Sequence, residues 1–515
     1  MKNWTLGYTT DIDYSHGYFQ ELSPTILSLA ALNKGSATNI GRPLRYLELG
    51  FGQGLSLVIH AAACEGEFWG IDFAPGQAAN AKELAESFGA GKHIYDQSFE
   101  EFAAREDLPE FDIITLHGIW SWVSDESRAT IIDLARRKLA VGGLLYVSYN
   151  CLPGAAPVAP LRHLLNLHAE MTKPADKNLT ESIDQSVEFV ESVIGCNAHY
   201  FLLNQHVVSK LGAIKKLPKN YVAHEYFNEH WDLMAFSDVC KKMAAAKLTF
   251  AASATLIDHI DAYNLSPEKQ EFLAGIHHPI LRESVRDYIT NAQFRRDIFV
   301  KDGREMNPMQ RNEAYLNQRF VLVSQPTDIP SSVEGLGDEI IFSQDIYDPL
   351  IIALADRGHE PKTLRELASR DALKDQPLAL IIEVLLVLHG GNYVRPAQCA
   401  DMVDAADLRC KLLNAHLINK ARFSDNISHL ASPVVGGGVR VERMDQLFLF
   451  ARQKNESDTK LWAQFVWQSL RAAGRKVVKD NVVLESDEEN FEELLSQANK
   501  FAQDRLPILQ ALKVI

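Results

Sequence analysis

The chain has 515 residues, 46% of them hydrophobic, and a formal net charge of −15. That length predicts several domains, and the acidic balance argues against nonspecific nucleic-acid binding, which needs a basic surface to neutralise phosphates. No apolar run is long enough to span a bilayer, the opening Met1-Lys-Asn-Trp-Thr5 lacks the basic and apolar regions of a signal peptide, and six cysteines are scattered without a C-x-x-C pair. A cytoplasmic location with neither a disulfide framework nor a zinc site is therefore expected.

In chain order, the first informative element is Arg45-Tyr-Leu-Glu-Leu-Gly-Phe-Gly-Gln-Gly54. Tyr46, Leu47 and Leu49 read as a buried parallel strand, and Leu55 to Ala63 as the helix after it. Between them Gly50, Gly52 and Gly54 mark a turn that allows positive φ and lets backbone amides approach a ligand. A pyrophosphate binder more often spaces its glycines G-x-G-x-x-G, whereas E-x-G-x-G-x-G suits a zwitterionic amino acid and a ribose without phosphate. With Glu48 just ahead of the glycines, the run looks like a site for S-adenosyl-L-methionine.

A second strand, Phe68-Trp-Gly-Ile-Asp72, ends in a carboxylate 24 residues beyond Glu48 that can take ribose hydroxyls, and Phe73 joins it as a cofactor contact. The third, His93-Ile-Tyr-Asp96, is followed by Gln97 and Ser98, so Asp96 could accept a bond from an adenine amine. The fourth, Phe111 to His117, ends at Gly118, and the fifth, Gly143 to Asn150, follows a Gly-Gly turn. Strands alternating with helices predict a doubly wound parallel α/β sheet with its ligand edge at the strands' carboxyl ends. A nicotinamide-dependent Rossmann enzyme is the alternative that the glycine spacing weighs against.

At this point the chain resembles class I S-adenosylmethionine-dependent methyltransferases. His117-Gly-Ile-Trp-Ser-Trp-Val123 and Ser148-Tyr-Asn-Cys-Leu-Pro-Gly154 look like signatures of the subfamily that carries the methyltransferase regulatory domain and includes the rickettsial-type protein-lysine methyltransferases. Tyr221-Val-Ala-His-Glu-Tyr226 and Phe294-Arg-Arg-Asp297 look like two further marks, whereas Ala155 stands where the family often has an aromatic residue. The resemblance implies a seven-stranded Rossmann-like domain. It also implies a Tyr-containing segment across the cofactor near the N-terminus, which points to Tyr14 and, less directly, His16.

Beyond the fifth strand, Pro157 to Met171 reads as a helix, and residues 172 to 220 as a helical cap or dimer element. The lysines Lys210, Lys215, Lys216 and Lys219 within it read as a solvated face. The sheet is expected to resume at Asn220–Phe227 and to end with Leu248–Ala254, closing the catalytic domain near residue 256. Residues 257–345 form the expected middle, regulatory domain, helical to about Val300 and then mixed. Residues 346–515 form a winged-helix-like and helical domain. In it Pro433-Val-Val-Gly-Gly-Gly438 reads as a connection or hairpin, and Glu485–Asn490 as a solvated helix start.

Methyl transfer displaces a methyl group from a positive sulfur, so binding, alignment and deprotonation supply much of the rate. The acceptor is expected beside the fourth and first strands, near His117, Trp120, Trp122, Tyr149 and Asn150. His117 is the candidate base, with a backbone-holding role as its alternative. Protein lysine is the acceptor that the resemblance implies; a small molecule or saccharide is the alternative, and a noncatalytic S-adenosylmethionine-binding regulator is a third reading. The added domains offer surface enough for a homodimer.

Overall fold

The computed structural model describes residues 16–172, 179–334, 339–454 and 458–515. Its centre is a sheet of seven strands: β1 (Leu44–Leu49), β2 (Gly66–Asp72), β3 (Ile94–Asp96), β4 (Phe111–Leu116), β5 (Leu139–Asn150), β6 (Leu248–Ser253) and β7 (Phe294–Lys301). Their order across the sheet is β3-β2-β1-β4-β5-β7-β6, with β7 antiparallel to both β5 and β6 and the rest parallel. The parallel strands are apolar on both faces because helices cover both. Leu47, Ile114, Leu145 and Val147 fill one face, and Tyr46, Ile113, Leu144 and Tyr146 the other.

The helices between strands follow local rules. α1 (Pro24–Asn33) starts on a proline, whose missing N–H costs nothing there. α2 (Leu55–Ala63) is buried on almost every side, from Leu55 through His60 and again at Ala62 and Ala63. A helix apolar all round must be enclosed, and α2 is: its outer face packs against the C-terminal half, where Leu413, Leu430 and Val439 share its core. α3 (Pro75–Glu86) and α4 (Phe99–Ala103) follow, the latter opened by a reciprocal capping box between Ser98 and Glu101. In α5 (Asp125–Lys138), Ser124 caps the start, with acids in the first turn and Arg136, Arg137 and Lys138 in the last, as the helix dipole favours.

Two expectations about the sheet require correction. Lys219–Tyr226 is a helix, not a strand: Pro218 starts it, and Val222, Ala223 and Tyr226 bury one helical face. The missing strand is β7, far beyond residue 256, so the sheet closes only at Lys301. Its alternation was masked by Arg295 and Asp297, which are buried as a charge network, not exposed.

The helical insertion runs more widely than residues 172–220, from α6 (Ala159–Thr172) to the helix at Lys219–Tyr226. It has its own core around Leu165, Val190 and Leu211. Lys215 pairs with Glu191 at 2.6 Å and Lys219 pairs with Asp184, on the exposed side of this bundle. In the C-terminal half, Arg319–Leu322 pairs antiparallel with Lys362–Thr363 and with Val394–Ala397, around helices at Gln344–His359, Leu364–Ala368 and Leu378–Gly390. His429–Ser432 and Gly437–Arg440 form the hairpin expected at the triple glycine.

Candidate active site

A pocket opens at the carboxyl ends of β1, β2 and β4. Gly50, Gly52 and Gly54 have φ of +70°, +58° and +78°, the region that favours glycine. Space demands the same residue: a Cβ on Gly50 would stand 2.4 Å from Ile119 Cδ1, and one on Gly54 2.3 Å from Ala81 Cβ. The loop is held from β2, because the Gly52 N–H donates to Asp72 Oδ2 and the Ala74 N–H to Oδ1, each at 2.9 Å. The Gln77 carboxamide, with its nitrogen toward the acid, reaches both oxygens at 3.2 and 3.3 Å. Burial pushes the Asp72 carboxyl up to about 7 in spite of these donors.

Glu48 differs from Asp72 in lacking that satisfaction. It is 3% exposed, lines the pocket, and its Oε2 has no hydrogen-bond partner among the described residues. Burial pushes its carboxyl up to about 8, with repulsion from Asp72 in the same direction and the Tyr46 hydroxyl opposing. The Oε1 of Gln97, on the pocket wall, is likewise buried without a partner among the described residues. A buried acceptor left empty is costly, so both atoms mark where a ligand's donors belong.

His117 lines the pocket at the end of β4, with Nδ1 2.8 Å from the Tyr146 hydroxyl and 3.9 Å from Glu21 Oε1. Its ring stacks on Phe19 at 3.9 Å between centroids. Burial lowers its pKa to about 4 although Glu21 opposes that shift. The imidazole is therefore neutral at pH 7 and a weak base.

The other expected residues divide. Phe73, Gln97 and Ser98 line the pocket, and Ser98 also caps α4. Asp96 is exposed and stands outside the lining. Tyr14 lies outside the described residues. Trp120 is fully buried in the core under β4 and β5, whereas Trp122 lines the pocket. The turn closed by the Trp122 N–H on the Ile119 carbonyl (2.8 Å) sends the two indoles apart. Asn150 stands at the margin, its Oδ1 accepting from Trp231 Nε1 at 3.2 Å. Tyr149 does not reach the pocket: it is 1% exposed and donates to Asp297 Oδ2 at 2.6 Å. Strand alternation explains this, since Tyr146 and Ser148 face His117 and Tyr149 must point the other way. Sequence reasoning missed Phe19, Phe51, Gln77 and Phe99; Phe51 stands between the expected Gly50 and Gly52 and Phe99 directly after Ser98, whereas Gln77 comes five residues after Asp72.

Comparisons with known proteins agree with this architecture. A family model described as a methyltransferase domain matches residues 47–143, and one described as a predicted methyltransferase regulatory domain matches 218–301, the stretch that contributes β6 and β7. An uncharacterized protein of Synechocystis, sll1526, is 36% identical over 514 residues, 99% of each chain. RP789 of Rickettsia prowazekii is 25% identical over 291 residues, covering 56% of this chain and 51% of that protein. The solved structure of PKMT2 from Rickettsia typhi in complex with AdoHcy superposes with a TM-score of 0.68 at 17% identity, over 97% of this chain and 99% of the other. From the glycine loop, the 3-2-1-4-5-7-6 sheet and the relative matched along its whole length, the chain belongs to the class I S-adenosyl-L-methionine-dependent methyltransferases that carry the methyltransferase regulatory domain.

Proposed function

We propose that this pocket presents the methyl donor to the side-chain amine of protein lysines. The observation that carries the cofactor's placement is Glu48 Oε2, a buried acceptor without a partner among the described residues, beside three glycines whose backbone must stay bare. That set fits S-adenosyl-L-methionine: Glu48 takes the ammonium of its amino-acid end, and Asp72, held by Gly52 and Ala74, takes the ribose hydroxyls in place of its longer Gln77 contacts. Gln97 and Ser98, with Phe73 and Phe99 beside them, border the adenine end. When bound, the cofactor supplies an electrophilic methyl group on a positive sulfur.

The rest falls to the protein's own side chains. Ile119, Trp122 and Val123 make one pocket wall apolar, which disfavours the charged form of an entering amine and so frees its lone pair for attack. Behind them, the Arg162 guanidinium lies over the rings of Trp122 and Trp231, at 5.6 and 5.1 Å, and ties the helical insertion to that wall. His117, neutral and stacked on Phe19, holds the edge of the site and is too weak a base to strip an ammonium by itself. The likeness to rickettsial-type protein-lysine methyltransferases supports lysine as the acceptor. The test is to incubate the purified protein with methyl-labelled S-adenosyl-L-methionine and a lysate of its source cells. Alkali-stable label in protein that yields methyl-lysines on hydrolysis is expected; label confined to low-mass or glycan fractions overturns the lysine reading.

A further inference from the structure

The triple glycine at 436–438 has a partner at the opposite end of the chain. Only Gly436, at φ +62°, needs glycine for its backbone. Gly437 and Gly438 need it for space: a Cβ on the first would lie 2.7 Å from the Tyr18 hydroxyl, and one on the second 2.8–3.0 Å from the Tyr18 ring. The hairpin is thus a socket cut to fit one tyrosine. The Gly438 N–H donates to the Tyr18 hydroxyl at 2.6 Å, His60 Nε2 of α2 lies 3.1 Å from the same oxygen, and the His429 ring packs on the phenol at 4.8 Å. From the strand Val394–Ala397, Arg395 turns a positive charge on the same segment, with its Nη1 buried and without a hydrogen-bond partner among the described residues.

The residues directly after Tyr18 belong to the pocket. Phe19 lines it, stacks on His117, and is fixed by its N–H donating to Ser56 Oγ at 2.9 Å. Glu21 reaches Arg296 Nε at 2.8 Å and faces His117 at 3.9 Å. One short segment therefore touches the C-terminal hairpin at Tyr18, the cofactor pocket at Phe19, and the pocket's His117 through Glu21.

We propose that Tyr18 is a positioning residue through which the C-terminal half sets the wall of the cofactor pocket, so that the Gly437–Gly438 socket is part of the cofactor-binding machinery. The inference rests on the reading of that pocket as the S-adenosylmethionine site. Tyr18 adjoins Phe19 directly, so releasing it frees one side of a backbone that is otherwise held by the Phe19 N–H on Ser56 and the ring on His117, and the wall is less firmly fixed for the ligand.

The test is calorimetric titration of S-adenosylhomocysteine into the full chain, at a temperature well below its melting point. Tyr18→Phe, which removes the shared hydroxyl, and Gly438→Ala, which crowds the ring from the other end of the chain, are each expected to weaken binding about tenfold. Leu494→Ala, in the helix Asp487–Lys500 that packs on Thr459–Ala472, is expected to lower the melting temperature and leave the affinity at the wild-type value. Wild-type affinity in folded Tyr18→Phe and Gly438→Ala overturns the inference, as does an equal loss in Leu494→Ala. If Gly438→Ala does not fold, Tyr18→Phe decides. Failure of the wild-type chain to bind S-adenosylhomocysteine instead overturns the reading of the pocket, and this inference with it.

Discussion

Two buried carboxylates on the same sheet, Glu48 on β1 and Asp297 on β7, have opposite surroundings. Asp297 is 1% exposed, accepts from Tyr149, and lies 3.0 Å from Arg295 Nε, whose other nitrogens reach Asp287 at 2.5 Å and Glu283 at 3.2 Å. Burial pushes its carboxyl up, and the Arg295 guanidinium opposes that shift. Glu48 has almost the same burial but, among the described residues, an empty Oε2 and only Tyr46 and Asp72 acting on its charge. Burial alone therefore does not distinguish a site from a scaffold; the number of partners supplied by the protein does. An acid that the fold has finished satisfying holds the fold, and one left unfinished awaits a ligand.

That contrast breaks or holds by mutation. The largest effect belongs to Asp297→Ala, which strips Arg295 of its closest strand partner and leaves Tyr149 without an acceptor. Denaturant unfolding is expected to show a loss of about 3–5 kcal/mol, and a loss below about 1 kcal/mol would mean that the network is not a scaffold. Tyr149→Phe comes next, at about 1.5–3 kcal/mol for one hydrogen bond to a charged acceptor, with affinity for S-adenosylhomocysteine unchanged; a drop in affinity would put Tyr149 back in the site. Glu48→Gln should do the reverse, weakening S-adenosylhomocysteine about tenfold while leaving stability equal or higher, because the cost of keeping a buried acid protonated at neutral pH is gone.

The pH dependence sharpens the same point. The folded carboxyl of Glu48 sits near 8 against 4.5 for the unconstrained group, so the folded chain binds the extra proton between those values. Stability of the ligand-free protein should then fall as pH rises through that window, with Asp72, pushed up to about 7, adding in the same direction. A ligand ammonium favours the ionised acid, so affinity should rise from pH 6 to pH 8. Titrations across that range should show the slope in the wild type and a flatter one in Glu48→Gln; equal slopes would remove Glu48 from the ammonium site.

Much of the site was legible because its requirements are local. A glycine at alternate positions after an apolar run can be read from spacing, and the acid at the end of β2 from distance along the chain. Tyr149 was misread although the needed signal was present: with a period of two, its position next to Ser148 puts it on the face away from His117. Trp120 and Trp122 required knowledge of a turn, which spacing does not carry. β7 was hidden within a stretch expected to be helical to about Val300, since the charges of Phe294-Arg-Arg-Asp297 break a strand's apolar pattern until the partners Asp287 and Tyr149 are brought to them from elsewhere. The helix at Lys219–Tyr226 was hidden by β-forming tyrosines and valine that its tertiary packing overrode.

The enclosure of α2 also sets a timetable for synthesis. Its residues are complete once Ala63 has been made, yet the surfaces that bury its outer face, around Leu413, Leu430 and Val439, are made some 350 or more residues later. At about 5–20 residues per second, a ribosome leaves Leu55, Val58, Ile59 and Ala62 without their final cover for roughly 20–70 s. During that interval the nascent chain carries an uncovered apolar helix beside its ligand loop, and a chaperone able to hold it would raise the yield of folded protein.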